Sequence, residues 1–170
     1  QCRGLVPPEI PTQPPTAPPP AYEFAVYRYY RSGVCADEFL VWTYAVNMTY
    51  GSCAPRACQD VPGYPGQTGT VACTLTPPPG SPTMFNERLT LGGAGCSGAL
   101  ASAASYALDE CFPFETTHAF VACNATDVLF HDNCNADCSA CGATYALATG
   151  CNGDAYFQCR DLAPAPTTPA

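Results

Sequence analysis

A recurring tetrapeptide constrains this chain more than any other feature. Thr43-Tyr44-Ala45-Val46 returns as Ser105-Tyr106-Ala107-Leu108 and again as Thr144-Tyr145-Ala146-Leu147. Each tyrosine stands 9 to 11 residues after a cysteine (Cys35, Cys96, Cys134) and is followed by a second one (Cys53, Cys111, Cys151). Each copy then closes on a third, through Val71-Ala72-Cys73, Val121-Ala122-Cys123 and Phe157-Gln158-Cys159, and each opens with an apolar stretch ending at Tyr30, Leu91 or Phe130. So many coincident landmarks read as an internal repeat. We place the three units at residues 22–75, 84–125 and 126–162.

Within the units the hydrophobic period is two. Leu40, Trp42, Tyr44, Val46, Met48 and Tyr50 fall on one face of an extended segment, while Val41, Thr43, Ala45, Asn47 and Thr49 fall on the other. The run from Tyr22 to Tyr30 alternates in the same way, and aromatic and β-branched residues recur at Val71 to Leu75 and Phe120 to Cys123. Gly-, Pro-, Asn- and Asp-rich turns separate these segments. The expectation is an all-β fold of three tandem, small, disulfide-stapled β-hairpin modules stacked in a row. Ala and Leu between Gly98 and Leu108 leave room for at most one short helix.

Proline divides the chain around these units. Residues 7–20 hold eight prolines, which fix φ and remove backbone donors, so residues 1–21 are expected as an extended polyproline II arm. Residues 76–83 form a second proline-rich linker and residues 163–170 a proline-rich tail.

Thirteen cysteines would be a liability in a reducing cytosol and suit a secreted chain whose loops they close. Cys35, Cys53, Cys58, Cys73, Cys96, Cys111, Cys123, Cys134, Cys138, Cys141, Cys151 and Cys159 are the candidates for six internal bonds. The repeat suggests pairing the second and third cysteine of each unit: Cys53 with Cys73, Cys111 with Cys123, Cys151 with Cys159. Cys138 and Cys141 are then left for first-position partners such as Cys134 or Cys96. Cys2, isolated beyond the proline arm, is the candidate for a bond between molecules. Gln1 reads as a mature N-terminus open to cyclisation, after loss of a leader.

Several functions are disfavoured. The six basic residues are all arginine, there is no lysine, and the net charge is -8, which repels polyphosphate, so no nucleic-acid partner is expected. No apolar stretch is long enough to span a bilayer. The spacing Cys134-x3-Cys138-x2-Cys141 has the form of an iron-sulfur or redox site but lacks the αβ context those sites need, and structural disulfides explain it better. Asn133, Asn135 and Asp137 alternate like calcium ligands, yet Cys138 replaces the required glycine. His118 and His131 have no nucleophile beside them, and the adjacent pairs Asp37-Glu38 and Asp109-Glu110 point to opposite faces of an extended chain. No enzyme activity, cofactor or metal is expected. Tyr22, Tyr27, Tyr29 and Tyr30 could form an aromatic face for stacking on sugars, which makes a carbohydrate-binding, lectin-like module the alternative reading.

The sequons Asn47-Met48-Thr49 and Asn124-Ala125-Thr126 offer Asn47 and Asn124 for N-glycans, Asn47 on the polar face of its strand. Thr12, Thr16, Thr167 and Thr168 lie among prolines as in O-glycosylated stalks. The proline-rich stretches at residues 7–20, 77–82 and 164–169 resemble the hydroxyproline-rich glycoproteins of algal and plant extracellular matrices. That resemblance implies hydroxylated, sugar-bearing prolines on arms that join cysteine-rich globular parts. The expected function is a secreted, glycosylated structural subunit of an extracellular fibril, appendage or matrix. It would associate head to tail with copies of itself through the N-terminal arm, with the strand-like run Tyr22 to Tyr30 completing a neighbour's sheet.

Overall fold

The computed structural model describes residues 21–159, except Pro65, Pro82, Gly92, Gly93, Ala94 and Ala125. The proline-rich N-terminal arm, the C-terminal tail, Cys2 and the four threonine acceptors lie outside the described residues. Among the described residues twelve strands make an all-β structure: β1 (Tyr22–Tyr30), β2 (Leu40–Thr49), β3 (Arg56–Asp60), β4 (Thr68–Thr74), β5 (Phe85–Leu91), β6 (Ala99–Tyr106), β7 (Cys111–Phe114), β8 (Thr117–Cys123), β9 (Asp127–Cys134), β10 (Cys141–Ala148), β11 (Gly150–Asn152) and β12 (Ala155–Cys159). One 3-10 turn at Asp37–Phe39 is the only helical element among the described residues. The alanine-rich segment in which a short helix was allowed is β6, paired on one side with β2 and on the other with β5. Two ladders outweigh the helix preference of single alanines.

All pairings are antiparallel. Eight strands form one sheet in the order β11-β12-β5-β6-β2-β1-β4-β3, and four form a second in the order β10-β9-β8-β7. A single pattern underlies both sheets. The first unit keeps its strands together as second-first-fourth-third (β2-β1-β4-β3). The other two units reach the same order by exchange: β6-β5 is completed by β12-β11, and β10-β9 by β8-β7. The expectation of modules stacked in a row therefore gives way to two interleaved units. Each contributes one hairpin to each sheet, and their apolar faces meet between the sheets.

The main core lies between the sheets. Val41, Phe85, Phe157 and Cys159 from the large sheet meet Phe112, Ala119, Val121 and Val128 from the small one. Phe112, Ala119, Val121 and Val128 have no exposed surface at all. Trp42 and Tyr106 extend this core through ring contacts, Phe114 meeting both edge-on. Burial pushes the Tyr106 phenol far above its usual range, and the nearby Glu87 adds to the effect. A smaller cluster, Phe24, Val26 and Ala45 with Leu100 and Ala103, occupies the other face of the large sheet, as the alternation between Trp42 and Ala45 requires.

Part of the proline-rich linker is folded onto that second face. Pro78, Pro79 and Gly80 line a small recess with Thr43, Ala103 and Ser105. Asn86 ties the linker down: its Oδ1 accepts from the Ser81 amide at 2.8 Å and from Ser105 Oγ at 2.7 Å, and its Nδ2 donates to the Ser81 and Met84 carbonyls. This satisfies a buried amide fully. Gly80 lies against it, since a Cβ there would come within 2.9 Å of Asn86 Oδ1.

Candidate functional site

Alternation along the strands decides the disulfides. Cys53–Cys73 forms as the repeat suggested. The pairs expected between Cys111 and Cys123 and between Cys151 and Cys159 do not form, although β7-β8 and β11-β12 are hairpins. Cys111 is opposite Phe120, one residue out of phase with the core pair Phe112 and Ala119, so it faces outward while Cys123 packs against the core. Cys151 is likewise opposite Tyr156, out of phase with Phe157 and Cys159, which face inward. Side chains on opposite faces of a hairpin cannot be joined. The observed bonds are Cys111–Cys138 and Cys96–Cys151 on the outside, Cys123–Cys159 through the core, Cys35–Cys58, and Cys134–Cys141 between directly opposed residues of β9 and β10.

These bonds repeat with the strand order. In each set a cysteine in the loop between first and second strands is joined to the third strand: Cys35 to Cys58, Cys96 to Cys151, Cys138 to Cys111. The fourth-strand cysteines of the two exchanged sets, Cys123 and Cys159, join each other. Cys123–Cys159 is the one bond between the two sheets among the described residues. Twelve cysteines are thus consumed by six bonds, a content suited to an extracellular protein, and no cysteine of this sequence remains for Cys2.

One groove combines aromatic and polar side chains. It runs over β1, β3 and β4, lined by Tyr27, Tyr29, Arg56, Gln59, Asp60 and Gly69 among others. The Tyr29 ring stacks on Trp42 with centroids 3.6 Å apart, and burial followed by the neighbouring Tyr64, Tyr27 and Tyr44 raises its phenol pKa. Gly69 leaves the floor open: a Cβ there would meet Val61 at 2.9 Å and the Arg28 carbonyl at 3.2 Å. In the adjoining loop Gln67 is 1% exposed, and both polar atoms of its side chain lack a partner among the described residues. The four tyrosines grouped by the sequence do not share this groove. Tyr27 and Tyr29 line it, Tyr22 shares the opposite face with Phe24 and Val26, and Tyr30, past a register shift, is 3% exposed. Arg56, Gln59 and Asp60 were missed because the short polar strand β3 carries no hydrophobic alternation.

The two sequons differ. Asn124 is exposed, and its described side-chain bonds all run through Oδ1, which accepts from the Thr126 and Asp127 amides and from Thr126 Oγ1. Asn47 sits in the interior strand β2, half-buried, its Nδ2 donating to the Leu100 carbonyl at 3.1 Å. It shares the face of Ala45, which Phe24, Val26, Leu100 and Ala103 make an apolar cluster rather than an open polar face.

The motifs with a chemical form are absorbed structurally. Cys134, Cys138 and Cys141 are all in disulfides. Asn135 and Asp137 bond within their own loop: Ser139 donates to Asp137 through Oγ and its amide, which holds that carboxyl below its usual range. His131 Nδ1 pairs with Thr144 Oγ1 at 2.9 Å across β9 and β10. Glu110 bonds Arg31, a surface pair of little energetic weight. Among the described residues no helix is long and apolar enough to cross a membrane.

The sheet edges complete the surface. β3 ends the large sheet with Arg56, Asp60 and a register shift, and β11 ends it on the other side with three residues. β7 closes the small sheet with four residues including Pro113. Charge, bulge, brevity and proline are the usual ways of blunting an edge. β10 has none of them. It is eight residues long, uncharged, free of proline and of register shifts, and its Tyr145 is 52% exposed. Comparison with known protein families, with characterised proteins and with solved structures gave no match.

Proposed function

We propose that this chain is a secreted, glycosylated structural subunit that builds an extracellular assembly from copies of itself. The observation that carries the reading is the open edge of β10 in a framework whose other edges are all blunted. An uncharged strand of that length is a template for another strand. The disulfides give the subunit rigidity, each contributing roughly 2 to 4 kcal/mol through a restricted unfolded state. N-glycans at Asn47 and Asn124 and sugars on the proline-flanked threonines would coat the surface. The proline-rich arm acts as a connector whose Cys2 is available for a disulfide between copies.

The arm does not act by inserting Tyr22 to Tyr30 into a neighbour, as the sequence suggested. β1 is an interior strand, paired with β2 and β4 of its own chain. Its edge groups are already taken.

Electron microscopy and sedimentation of the full chain, at increasing concentration under non-reducing conditions, test the reading. Ordered oligomers or filaments are expected; a protein monomeric at every concentration, with Cys2 still a free thiol, would refute it.

The groove at Tyr27, Tyr29 and Arg56 favours a second reading, carbohydrate binding. Ring faces beside a guanidinium, a carboxamide and a carboxylate suit a pyranose, with its apolar face and its vicinal hydroxyls. Binding to immobilised neutral oligosaccharides that is lost in Tyr27→Ala and Arg56→Ala would support it, and no retention of any such sugar would end it.

A further inference from the structure

The three second-position strands are β2, β6 and β10, the strands that carry the recurring tetrapeptide or lead into it. Two of them are already joined. β2 pairs antiparallel with β6, so the eight-stranded sheet reads third-fourth-first-second, then second-first-fourth-third. β10 is the second strand of the remaining set, and no strand among the described residues lies beyond it. The molecule thus contains, in β2 and β6, a completed example of the contact that β10 lacks.

We propose that β10 pairs antiparallel with β10 of a second copy, about a two-fold axis at Thr144. The inference rests on the reading of the chain as a self-associating subunit and names its partner and register. The register comes from the internal example. Thr43 of β2 is opposite Ser105 of β6, and these two positions correspond in the repeat to Thr144. Carried over, Thr144 meets the partner's Thr144, Ala143 meets the partner's Tyr145, and Gly142 meets the partner's Ala146. Two four-stranded sheets then become one of eight strands, with the strand order of the large sheet.

The chemistry of the edge agrees with this register. Threonines directly opposed across antiparallel strands are a favourable pair, and Thr144 Oγ1 is already oriented by His131 Nδ1. The exposed Tyr145 ring lies beside a partner alanine, where there is room for it. No charge in β10 repels its copy. The chain's own arm is a poorer occupant, because its eight prolines at residues 7–20 have no N–H to donate to a ladder. A two-fold contact of this kind is self-complementary and closes as a pair, so it adds to the arm contact without competing with it.

Sedimentation equilibrium in a Cys2→Ser background separates the two contacts. The Cys2→Ser protein is expected to show a concentration-dependent monomer–dimer equilibrium. Thr144→Lys, which places two ammonium groups together on the axis, should weaken dimerisation at least tenfold, while Ala57→Lys, at an exposed position of β3, should leave it unchanged. Register is read separately: Ala143→Lys combined with Tyr145→Glu puts opposite charges across the axis twice and should dimerise more tightly than either single variant. That comparison also stands if Thr144→Lys fails to fold. A dimer indifferent to Thr144→Lys and to the charge pair would overturn the edge and leave the subunit reading intact, as would a Cys2→Ser monomer beside a wild type that still assembles. Monomers throughout, in wild type as well, would remove both.

Discussion

Removing the bond between the sheets measures how the exchanged hairpins are held. Cys123 is on β8 of the small sheet and Cys159 on β12 of the large one, separated by 36 residues in sequence. The chain-entropy relation gives a loss of about 4 kcal/mol when such a loop is opened in the unfolded state. Cys159 is 2% exposed and Cys123 packs against the core, so replacing both by alanine also leaves a small void, adding about 1 kcal/mol. The Cys123→Ala, Cys159→Ala protein should melt about 10 to 20 °C below wild type. Cys134–Cys141 is the internal comparison. It closes a separation of only 7 between opposed, hydrogen-bonded strands, for which the same relation gives about 2.3 kcal/mol. Guanidinium unfolding of both double variants under non-reducing conditions, followed by tryptophan fluorescence, reads the difference, because Trp42 borders the core between the sheets. If opening Cys134–Cys141 costs as much as opening Cys123–Cys159, loop length is not what sets the stabilisation and the reasoning fails.

Two further outcomes follow from single side chains. Burial raises the Glu87 carboxyl pKa, so the folded state disfavours its ionised form; that penalty is absent below the unfolded value of about 4.3 and grows as pH rises through the folded one. Glu87→Gln should therefore raise the melting temperature at pH 7 and have little effect near pH 4, and an unchanged difference across that range would contradict the assignment. Peptide mapping of protein from its natural source should find more complete N-glycosylation at Asn124 than at Asn47, because the Asn47 amide is held by Leu100 inside the sheet; equal occupancy would show that this bond does not oppose the modification.

The sequence made some levels of this structure legible and hid others. β1 and β2 were readable to within a residue because their sequences alternate large apolar with smaller or polar residues, even though burial itself does not alternate: Glu23, Phe24, Ala25 and Val26 are buried in succession. The repeat located the first, second and fourth strands of every set. It missed the third strands β3, β7 and β11, which are short edge strands, one polar, one interrupted by Pro113, one of three residues. Missing them shifted the cysteine alignment: the second-position residue of the first unit is Cys58 on β3 rather than Cys53, and the loop residue of the third is Cys138 rather than Cys134. The exchange of hairpins was out of reach for a different reason. Whether β5 takes β8 or β12 as its neighbour depends on which arrangement buries Phe112, Val121 and Phe157 together, and local pattern carries no information about distant partners. Of the groove, Tyr27 and Tyr29 were visible as aromatics, but the polar residues opposite them were not.

The exchanged order also bears on how a ribosome-bound chain acquires its shape. The first four strands and both of their disulfides involve only residues up to Thr74, so that part can close while the rest is still being made. β5 cannot: its outer neighbour is β12, the last described strand, and Cys96 must wait for Cys151. During translation the apolar side of β5 and β6 and the Cys96 thiol stay uncovered until the C-terminal hairpin arrives. The N-terminal third is thus the early platform, its β2 edge and Val41 still awaiting β6 and the small sheet, and the remainder is a late-locking clasp.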